Sequence, residues 1–333
     1  MTIDELTSFS NVNSLIADWE ALYDRCPDAT PFHSPDWVVR WWRYFGFGSL
    51  WVLTIRQGRH LAGIAPLFIH NYHNGRGSLR QLSPIGIGIT DYMDFLLEPN
   101  CAPAASELIL QHLVRRKSCW DAADLQGIRD GCGLLRANTP RELKVRKIPD
   151  QPCPFIRLPE SRQHFLASLS RNRRHAYQSA QRKASRLGSI TFESAQPSSW
   201  EELIEALVQL NRASRVKRRL RAAFDDPKFQ MFHREMGEAF LRRGWLRLIA
   251  MRIGTRIISV LHGFASGRRS YCYQTGFDPH FQQFSPGTIV QGQVIERAID
   301  EGLNEIDFLR GDEPYKYWWG ARNRQTYRLV LQH

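Results

Sequence analysis

The side chains best suited to chemistry lie near the end of the chain, in the segment NEIDFLRGDEPYKYWWG that begins at Asn304. Asp307 interrupts an otherwise apolar strand, where a carboxylate is costly unless it is paired or used. Lys316 lies among aromatic residues, which suit a flat ligand or an apolar cleft. Two interpretations stay open: a catalytic carboxylate near a cation, or a structural ion pair between Asp307 and Arg310 beside a core of Tyr and Trp residues.

A second candidate element is a Pro-Gly helix start that follows a strand. The strand-like stretch YCYQTGFDP begins at Tyr271, and FSPGT, which begins at Phe284, precedes a helical pattern. The N–H groups at a helix start have no intrahelical acceptor, so they favour an anion such as a pyrophosphate. An ordinary helix start has the same appearance, and Pro286 has no N–H to donate.

The net charge of +12 is confined to two segments. Residues 171–186 and 212–221 each carry six Lys or Arg and no acid, and the rest of the chain has equal numbers of basic and acidic residues. This pattern disfavours a protein that coats nucleic acid with its whole surface. The first segment predicts either a solvated helix or a clamp for a polyanion, and the second predicts a mobile loop near the site.

Helical and strand patterns recur in the same order in two halves of the chain, which predicts an α/β protein with mixed sheets flanked by helices. Residues 48–68 can be aligned without a gap on residues 244–264, with matching glycine and apolar positions, which predicts an internal duplication. The proline-rich stretch 149–159 predicts the linker, so the domains are placed at 1–150 and 151–333. Residues 161–187 predict one long helix.

Composition excludes several classes of protein. No apolar run approaches the roughly 18 residues of a membrane-spanning helix, and the N-terminus carries Asp4 and Glu5 instead of a basic leader. We therefore expect a cytoplasmic protein without a transmembrane segment. The six cysteines are scattered, with no C-x-x-C pair and no histidine at a metal-ligand spacing, so we expect no metal. The sequence leaves the oligomeric state open.

Two segments carry a resemblance to a known family: DFLRGDEPYKYWWGA, which begins at Asp307, and YQTGFDPHFQQFSPGT, which begins at Tyr273. They resemble the GNAT-superfamily acyltransferases of the cellulose-biosynthesis-associated (CelD-type) group, relatives of the tandem-GNAT FemAB proteins. The segments PFHSPDWVVRWWRYFG, ITDYMDFLL and SRNRRHAYQSAQRKASRLG extend the resemblance over nearly the whole chain. It implies tandem GNAT-like domains, of which the second transfers an acyl group from acetyl-CoA or another acyl-CoA to an amine or hydroxyl. The implied acceptor is a small molecule, a saccharide or a peptide.

The resemblance also implies roles for individual residues. Acyl-CoA would lie between the strand that ends at Phe277 and the strand at Ile306. Asp307 is the candidate base or acceptor-orienting group, and Tyr315 or Lys316 is the candidate acid or charge stabiliser. The implied donor-binding residues are Gln274, Phe277, Phe284, Ser285, Gly287 and Thr288, and the implied acceptor-binding residues are Arg171, Arg174, His262 and Asp312.

Two alternatives to an acyl-CoA enzyme stay open. The usual GNAT pyrophosphate loop has a glycine where this chain has Pro286, and FemAB relatives, which also depart from that loop, use aminoacyl-tRNA. A tRNA-dependent transferase is therefore the second hypothesis, and nucleic acid is expected only as tRNA under it. The third hypothesis is a catalytically silent binding module in exopolysaccharide assembly.

Overall fold

A computed structural model describes residues 1–73, 75 and 77–333. The chain forms two compact units: unit 1 contains Met1–Pro152 and Arg324–His333, and unit 2 contains Cys153–Asn323. The predicted domain limits assign the C-terminal residues to the second domain. The structure corrects that assignment, because the C-terminal strand completes the sheet of unit 1.

Helices and strands alternate irregularly along both units. Up to Pro149 the elements are, in chain order, β1 (Thr2–Leu6), α1 (Phe9–Ser14), α2 (Ile16–Arg25), α3 (Pro35–Phe45), β2 (Ser49–Gln57), β3 (His60–His73), β4 (Ser78–Pro84), β5 (Leu96–Leu97), α4 (Ala102–Arg115), β6 (Ala122–Arg129), α5 (Gly133–Arg136) and β7 (Lys144–Pro149). The later elements are β8 (Cys153–Arg157), α6 (Arg162–Ser168), α7 (Arg171–Ser185), β9 (Ile190–Ser194), α8 (Trp200–Lys217), α9 (Pro227–Arg242), β10 (Leu246–Ile253), β11 (Arg256–Ser266), β12 (Arg269–Phe277), α10 (Pro286–Asp300), β13 (Glu305–Asp307), α11 (Pro314–Trp318), β14 (Arg322–Arg324) and β15 (Thr326–Gln332).

Unit 1 is built on a mixed sheet with the strand order β1-β2-β3-β4-β6-β15-β7. Neighbouring strands are antiparallel except β4 and β6, which are parallel. Leu53 and Leu125 on the strands pack against Ile109 and Leu113 on α4, and all four are buried. The apolar face of α4 thus covers one side of the sheet.

Unit 2 has a second mixed sheet with the order β14-β8-β13-β12-β11-β10-β9. Leu261 and Ile306 pack with Val290 of α10 and Tyr177 of α7. Alternate strand residues point to the opposite face, where α8 contacts β10, β11 and β12 and α9 contacts β10. Among the described residues, no helix has the length and apolar character required to cross a bilayer.

The two sheets share the same sequence of antiparallel and parallel neighbours, which supports the predicted duplication. In each, a run of antiparallel strands is followed by one parallel strand, which is itself flanked by an antiparallel strand. The register shifts after Ile55 in the first hairpin and after Met251 in the second, and Gly58 and Gly254 occupy the turns with φ of 61° and 58°. Apolar alternation alone does not fix where a bulge occurs, so the shared position argues for common ancestry.

The predicted linker contains a strand. Cys153 is fully buried and Ile156 is 6% exposed, because β8 lies between β13 and β14 inside the sheet of unit 2. The prolines of this stretch lie at positions that the sheet tolerates, and the C=O of Pro154 accepts a hydrogen bond from the N–H of Phe308. The segment between β7 and β8 is therefore only 150–152.

The predicted long helix is two helices, α6 and α7. Leu169 is extended and buried, and the Oγ of Ser170 accepts a hydrogen bond from the N–H of Arg173. A serine with this geometry caps a new helix. The apolar spacing continued across the break, so periodicity alone did not reveal it.

Candidate functional site

The central strands of unit 2 separate at one point. β12 and β13 are paired from Arg269 and Glu305 up to Tyr271 and Asp307. β12 then continues to Phe277, still paired with β11 on its other side, while β13 ends at Asp307. No strand in the described part of the chain covers the edge of residues 272–277 that faces away from β11. This opening leaves backbone groups available to a ligand.

A bulge in β12 lies beside this opening. Gly263 pairs with Cys272 and His262 pairs with Gln274, so Tyr273 is an extra residue in β12. A Cβ on Gly263 would lie 2.2 Å from the backbone oxygen of Tyr271, so only glycine fits. A bulge increases the local twist of a strand, and here it turns the second half of β12 away from β13.

Helix α8 lies directly against β12 at the opening. A Cβ on Gly276 would lie 2.4 Å from the backbone nitrogen of Asn211. The buried amide of Asn211 donates to the C=O of Thr275 at 3.0 Å and to the Oε1 of Gln274 at 3.4 Å. Its Oδ1 has no donor among the described residues. Asn211 therefore holds β12 against α8.

The start of α10 offers less to an anion than the sequence suggested. Ser285 has a left-handed backbone with φ of 52°, and its C=O accepts from the N–H of Thr288 at 3.0 Å. Because Pro286 has no N–H, the group that this helix start presents is the N–H of Gly287. A Cβ on Gly287 would meet only Phe277, at 4.0 Å, so the space around it is open.

The second basic segment reaches the same opening. It was predicted to be a mobile loop, but its first half is the end of α8, because the spacing of Leu203, Leu207 and Leu210 continues to the buried Ser214. The guanidinium of Arg218 lies over the ring of Phe277, 5.2 Å from its centroid.

The cations at the end of α8 also act on Tyr315. Burial and the carboxylate of Glu313 raise the pKa of Tyr315, whereas the positive charges of Arg218 and Arg215 oppose this shift. Sequence analysis did not single out Arg215, Arg218 or Asn211 as site residues. The apolar spacing of α8, which continues to Ser214, could have indicated that these residues lie on a helix.

Lys316 is buried and fully engaged. Its Nζ donates to the C=O groups of Leu309, Arg310 and Gly311 at 3.0, 2.7 and 3.1 Å, and it lies 2.9 Å from the Oε2 of Glu313. An ammonium group has three N–H donors. As an acid, Lys316 would first have to break one of these bonds, so the geometry supports a positioning role.

Asp307 lies at the point where the strands separate. It is fully buried, and its Oδ1 accepts from the N–H of Leu309 at 2.8 Å. This bond supports the left-handed backbone of Leu309, whose φ is 59°. Burial, followed by the negative charge of Asp307, raises the pKa of the neighbouring Cys272 to about 12. Cys272 is therefore a protonated thiol at neutral pH, as expected of a packing residue.

The other predicted site residues are distributed through unit 2. Ser285 and Thr288 are at the start of α10, and Phe284 packs on the apolar core. Asp312 is exposed. Arg171 is exposed at the start of α7, and Arg174 donates to the C=O of Leu166 at 3.4 Å. The described contacts of Arg174 thus tie it to α6.

His262 lies in an aromatic cage. It is fully buried, with the rings of His233, Phe264 and Tyr273 at centroid distances of 5.4, 5.1 and 6.0 Å. Neither ring nitrogen has a hydrogen-bond partner among the described residues. Burial lowers the pKa of His262 to about 3, so the ring is neutral at neutral pH. A substrate could not touch this ring without displacing the cage, so the predicted acceptor contact at His262 is not supported.

The comparisons with known proteins agree with this geometry. The acetyltransferase (GNAT) domain family matches residues 171–317, so this part of the chain is a GNAT-type transferase domain. No curated protein sequence matches the chain.

Solved structures resemble nearly the whole chain. A crystal structure of FemX has a TM-score of 0.67 at 11% identity and covers 98% of this chain and 97% of its own. The C-terminal DUF2156 domain of a protein named as a lysylphosphatidylglycerol synthetase, from Agrobacterium fabrum, has a TM-score of 0.59 at 11% identity and covers 98% and 93%. L-PGS from Bacillus licheniformis has a TM-score of 0.57 at 9% identity and covers 95% and 91%. At these identities the likeness concerns the fold alone, and it confirms the predicted tandem GNAT-like α/β architecture.

The positioning role of Lys316 predicts the effect of Lys316→Met. Methionine keeps the apolar stem but leaves three carbonyl groups without their donor, so we expect the free energy of unfolding to fall by about 2–4 kcal/mol. Chemical denaturation measures this change. Lys183→Met, on the exposed face of α7, is the matched control and should change it by less than about 0.5 kcal/mol. A Lys316→Met protein of unchanged stability that had lost acyl transfer would support the acid role instead.

The buried His262 predicts a pH dependence of stability. Its folded pKa of about 3 lies below the unfolded value of 6.5, so the unfolded chain binds a proton first as the pH falls. The contribution of the neutral His262 ring to the free energy of unfolding is complete above pH 6.5. Below pH 6.5 it decreases by about 1.4 kcal/mol per pH unit.

His262→Phe should therefore reduce the pH dependence of the unfolding free energy between pH 6 and pH 4 by about that slope. Denaturation curves recorded across this range measure it. His164→Phe is the control, because His164 is exposed and should leave the slope unchanged. An unaltered slope in His262→Phe would mean that His262 protonates in the folded protein.

Proposed function

We propose that unit 2 is an acyltransferase that moves an acyl group, in the first instance acetyl, from acyl-CoA to an amine or hydroxyl of a small-molecule, saccharide or peptide acceptor. The opening between β12 and β13 carries this proposal. Beyond Tyr271, β12 has a free edge whose N–H groups can donate to the oxygen of a thioester. Negative charge develops on that oxygen during acyl transfer, and fixed donors stabilise it.

The second requirement of the reaction is a group that takes the proton of the acceptor. Asp307 is buried at the apex of the opening, where Oδ1 is held by the N–H of Leu309. A carboxylate has further lone pairs for an acceptor amine or hydroxyl. We assign to Asp307 the orientation and deprotonation of the acceptor, and to Lys316 the positioning of the loop that follows.

The third requirement is a site for the phosphates of the donor. Because Pro286 removes one donor from the helix start, we assign this role mainly to Arg215 and Arg218, with the N–H of Gly287. Guanidinium groups bind phosphates through paired N–H donors. Tyr315 lies close to both arginines and is the candidate acid for the leaving thiolate, because its phenol carries a proton at neutral pH.

An aminoacyl-tRNA donor is the second candidate, and the charge of α7 favours it. Arg171, Arg173, Arg182 and Lys183 on this helix have no acidic partner among the described residues. Unpaired cations on one helix suit a polyanion. We propose that the acceptor belongs to exopolysaccharide or cell-envelope metabolism, as the CelD-type resemblance implies, and that the reaction takes place in the cytoplasm.

Calorimetric titration and Asp307→Asn together test the proposal. We expect acetyl-CoA to bind wild-type protein and Asp307→Asn with dissociation constants within about threefold, because the variant keeps the shape of the side chain. Turnover should fall by about a hundredfold or more, since the acceptor loses its base. Release of CoA thiol with an acceptor found by screening small molecules, saccharides and peptides measures turnover.

Asp24→Asn, an exposed site in unit 1, is the control and should change neither quantity. Turnover that survives in a stable Asp307→Asn protein would exclude Asp307 from the mechanism. Binding of tRNA that weakens steeply with salt, with no binding of acetyl-CoA, would favour the second candidate. Absence of both ligands would favour a binding module.

A further inference from the structure

Six consecutive residues at the end of α8, Val216 to Arg221, are all exposed. We call this segment the tip. Val216 is 70% exposed and Leu220 is 50% exposed, and the four other residues are basic. Two aliphatic side chains and four cations thus form one exposed patch that is both apolar and basic.

The exposure of the tip is fixed by an ordered turn. The N–H of Leu220 donates to the C=O of Arg215 at 3.0 Å and that of Arg219 to the C=O of Val216 at 2.9 Å, which is a Schellman helix end. Arg219 has φ of 57°, in the region that favours glycine. The chain re-enters the core at Phe224, which is fully buried. The apolar residue at this position of a Schellman helix end often packs against the last turn of the helix. Leu220 is exposed instead.

The cations of the tip differ from several other arginines of unit 2, which pair with acidic residues. Arg234 pairs with Glu201 and Glu205, and Arg247 pairs with Glu301. The basic residues of the tip have no acidic partner among the described residues, and residues 211–224 contain no Asp or Glu. The charges of Lys217, Arg219 and Arg221 are therefore available to a ligand outside the chain.

We propose that the tip docks unit 2 on a lipid bilayer that contains anionic lipids. Val216 and Leu220 enter the boundary between headgroups and acyl chains, and Lys217, Arg219 and Arg221 contact lipid phosphates. Such an interface rewards apolar and basic side chains together. RNA binds cations through its phosphates and aromatic side chains by stacking, but it offers exposed aliphatic side chains no partner. The composition of the tip therefore favours the bilayer.

Docking would also bring the opening to the membrane surface. Arg215 and Arg218, at the base of the tip, lie close to Tyr315 and Phe277 at the opening. An acceptor carried by a lipid would then lie within reach of Asp307. Docking is measured without acyl transfer, so it succeeds or fails independently of the proposed function.

Vesicle co-sedimentation tests the proposal with the full chain. We expect binding to vesicles of phosphatidylcholine and phosphatidylglycerol in a ratio of three to one, and at least tenfold weaker binding to pure phosphatidylcholine. Val216→Ser with Leu220→Ser should weaken binding to the anionic vesicles about tenfold or more. Lys217→Gln, Arg219→Gly and Arg221→Gln together should weaken it by roughly fivefold for each charge removed.

Glycine at position 219 fits the left-handed backbone there, so Arg219→Gly removes the charge and preserves the turn. The charge variants also have a matched control. Removal of three exposed cations from unit 1, with Arg115→Gln, Lys117→Gln and Lys144→Gln, should change binding less than threefold. Equal weakening by that control would overturn the proposal, since it would show attraction by net charge alone.

Two other results would also overturn it. One is vesicle binding that Val216→Ser with Leu220→Ser leaves unchanged. The other is tRNA binding that the charge variants of the tip weaken, in a protein that does not bind anionic vesicles.

Discussion

Three consecutive carbonyl oxygens, of Leu309, Arg310 and Gly311, converge on the ammonium of Lys316, and the opening in unit 2 depends on this contact. Carbonyl groups repel one another when they point at one place, so a buried cation is needed to hold them there. With the loop fixed in this way, the chain leaves the sheet immediately after Asp307. The pairing of β13 with β12 ends at Asp307, and the edge of β12 beyond Tyr271 is not covered by any strand that the structure describes.

The contact between Lys316 and the three carbonyl groups also explains why the carboxylate of Asp307 is tolerated at the end of a buried strand. Asp307 accepts the N–H of Leu309, the first residue of the loop that Lys316 holds. A carboxylate and an ammonium thus stabilise the two ends of one short loop without direct contact being required. Charge is retained at the opening, whereas the neutral ring of His262 lies among aromatic rings. The two buried polar groups therefore have different roles.

Much of the fold could be predicted from the sequence, because alternation, glycine turns and caps are local. The hairpin repeat, the helix start at Pro286 and the strand at Asp307 are examples. The break at Ser170 was missed because the apolar spacing continues across it, and the strand inside 149–159 could not be predicted, since tertiary packing decides it. The site was predicted only in part: Asp307 stood out as a charge in an apolar strand, but nothing local shows that Asn211 and Arg218 lie against β12.

The strand β15 has a consequence for how the protein is made. β15 pairs with β7 and β6, so unit 2 is inserted between two strands that lie side by side in unit 1. During synthesis on a ribosome, the inserted unit is complete before the last strand of its host leaves the exit tunnel. Unit 2 is a continuous stretch of chain, whereas the sheet of unit 1 lacks an inner strand until β15 has been synthesised. Unit 1 is thus begun before unit 2 and completed after it.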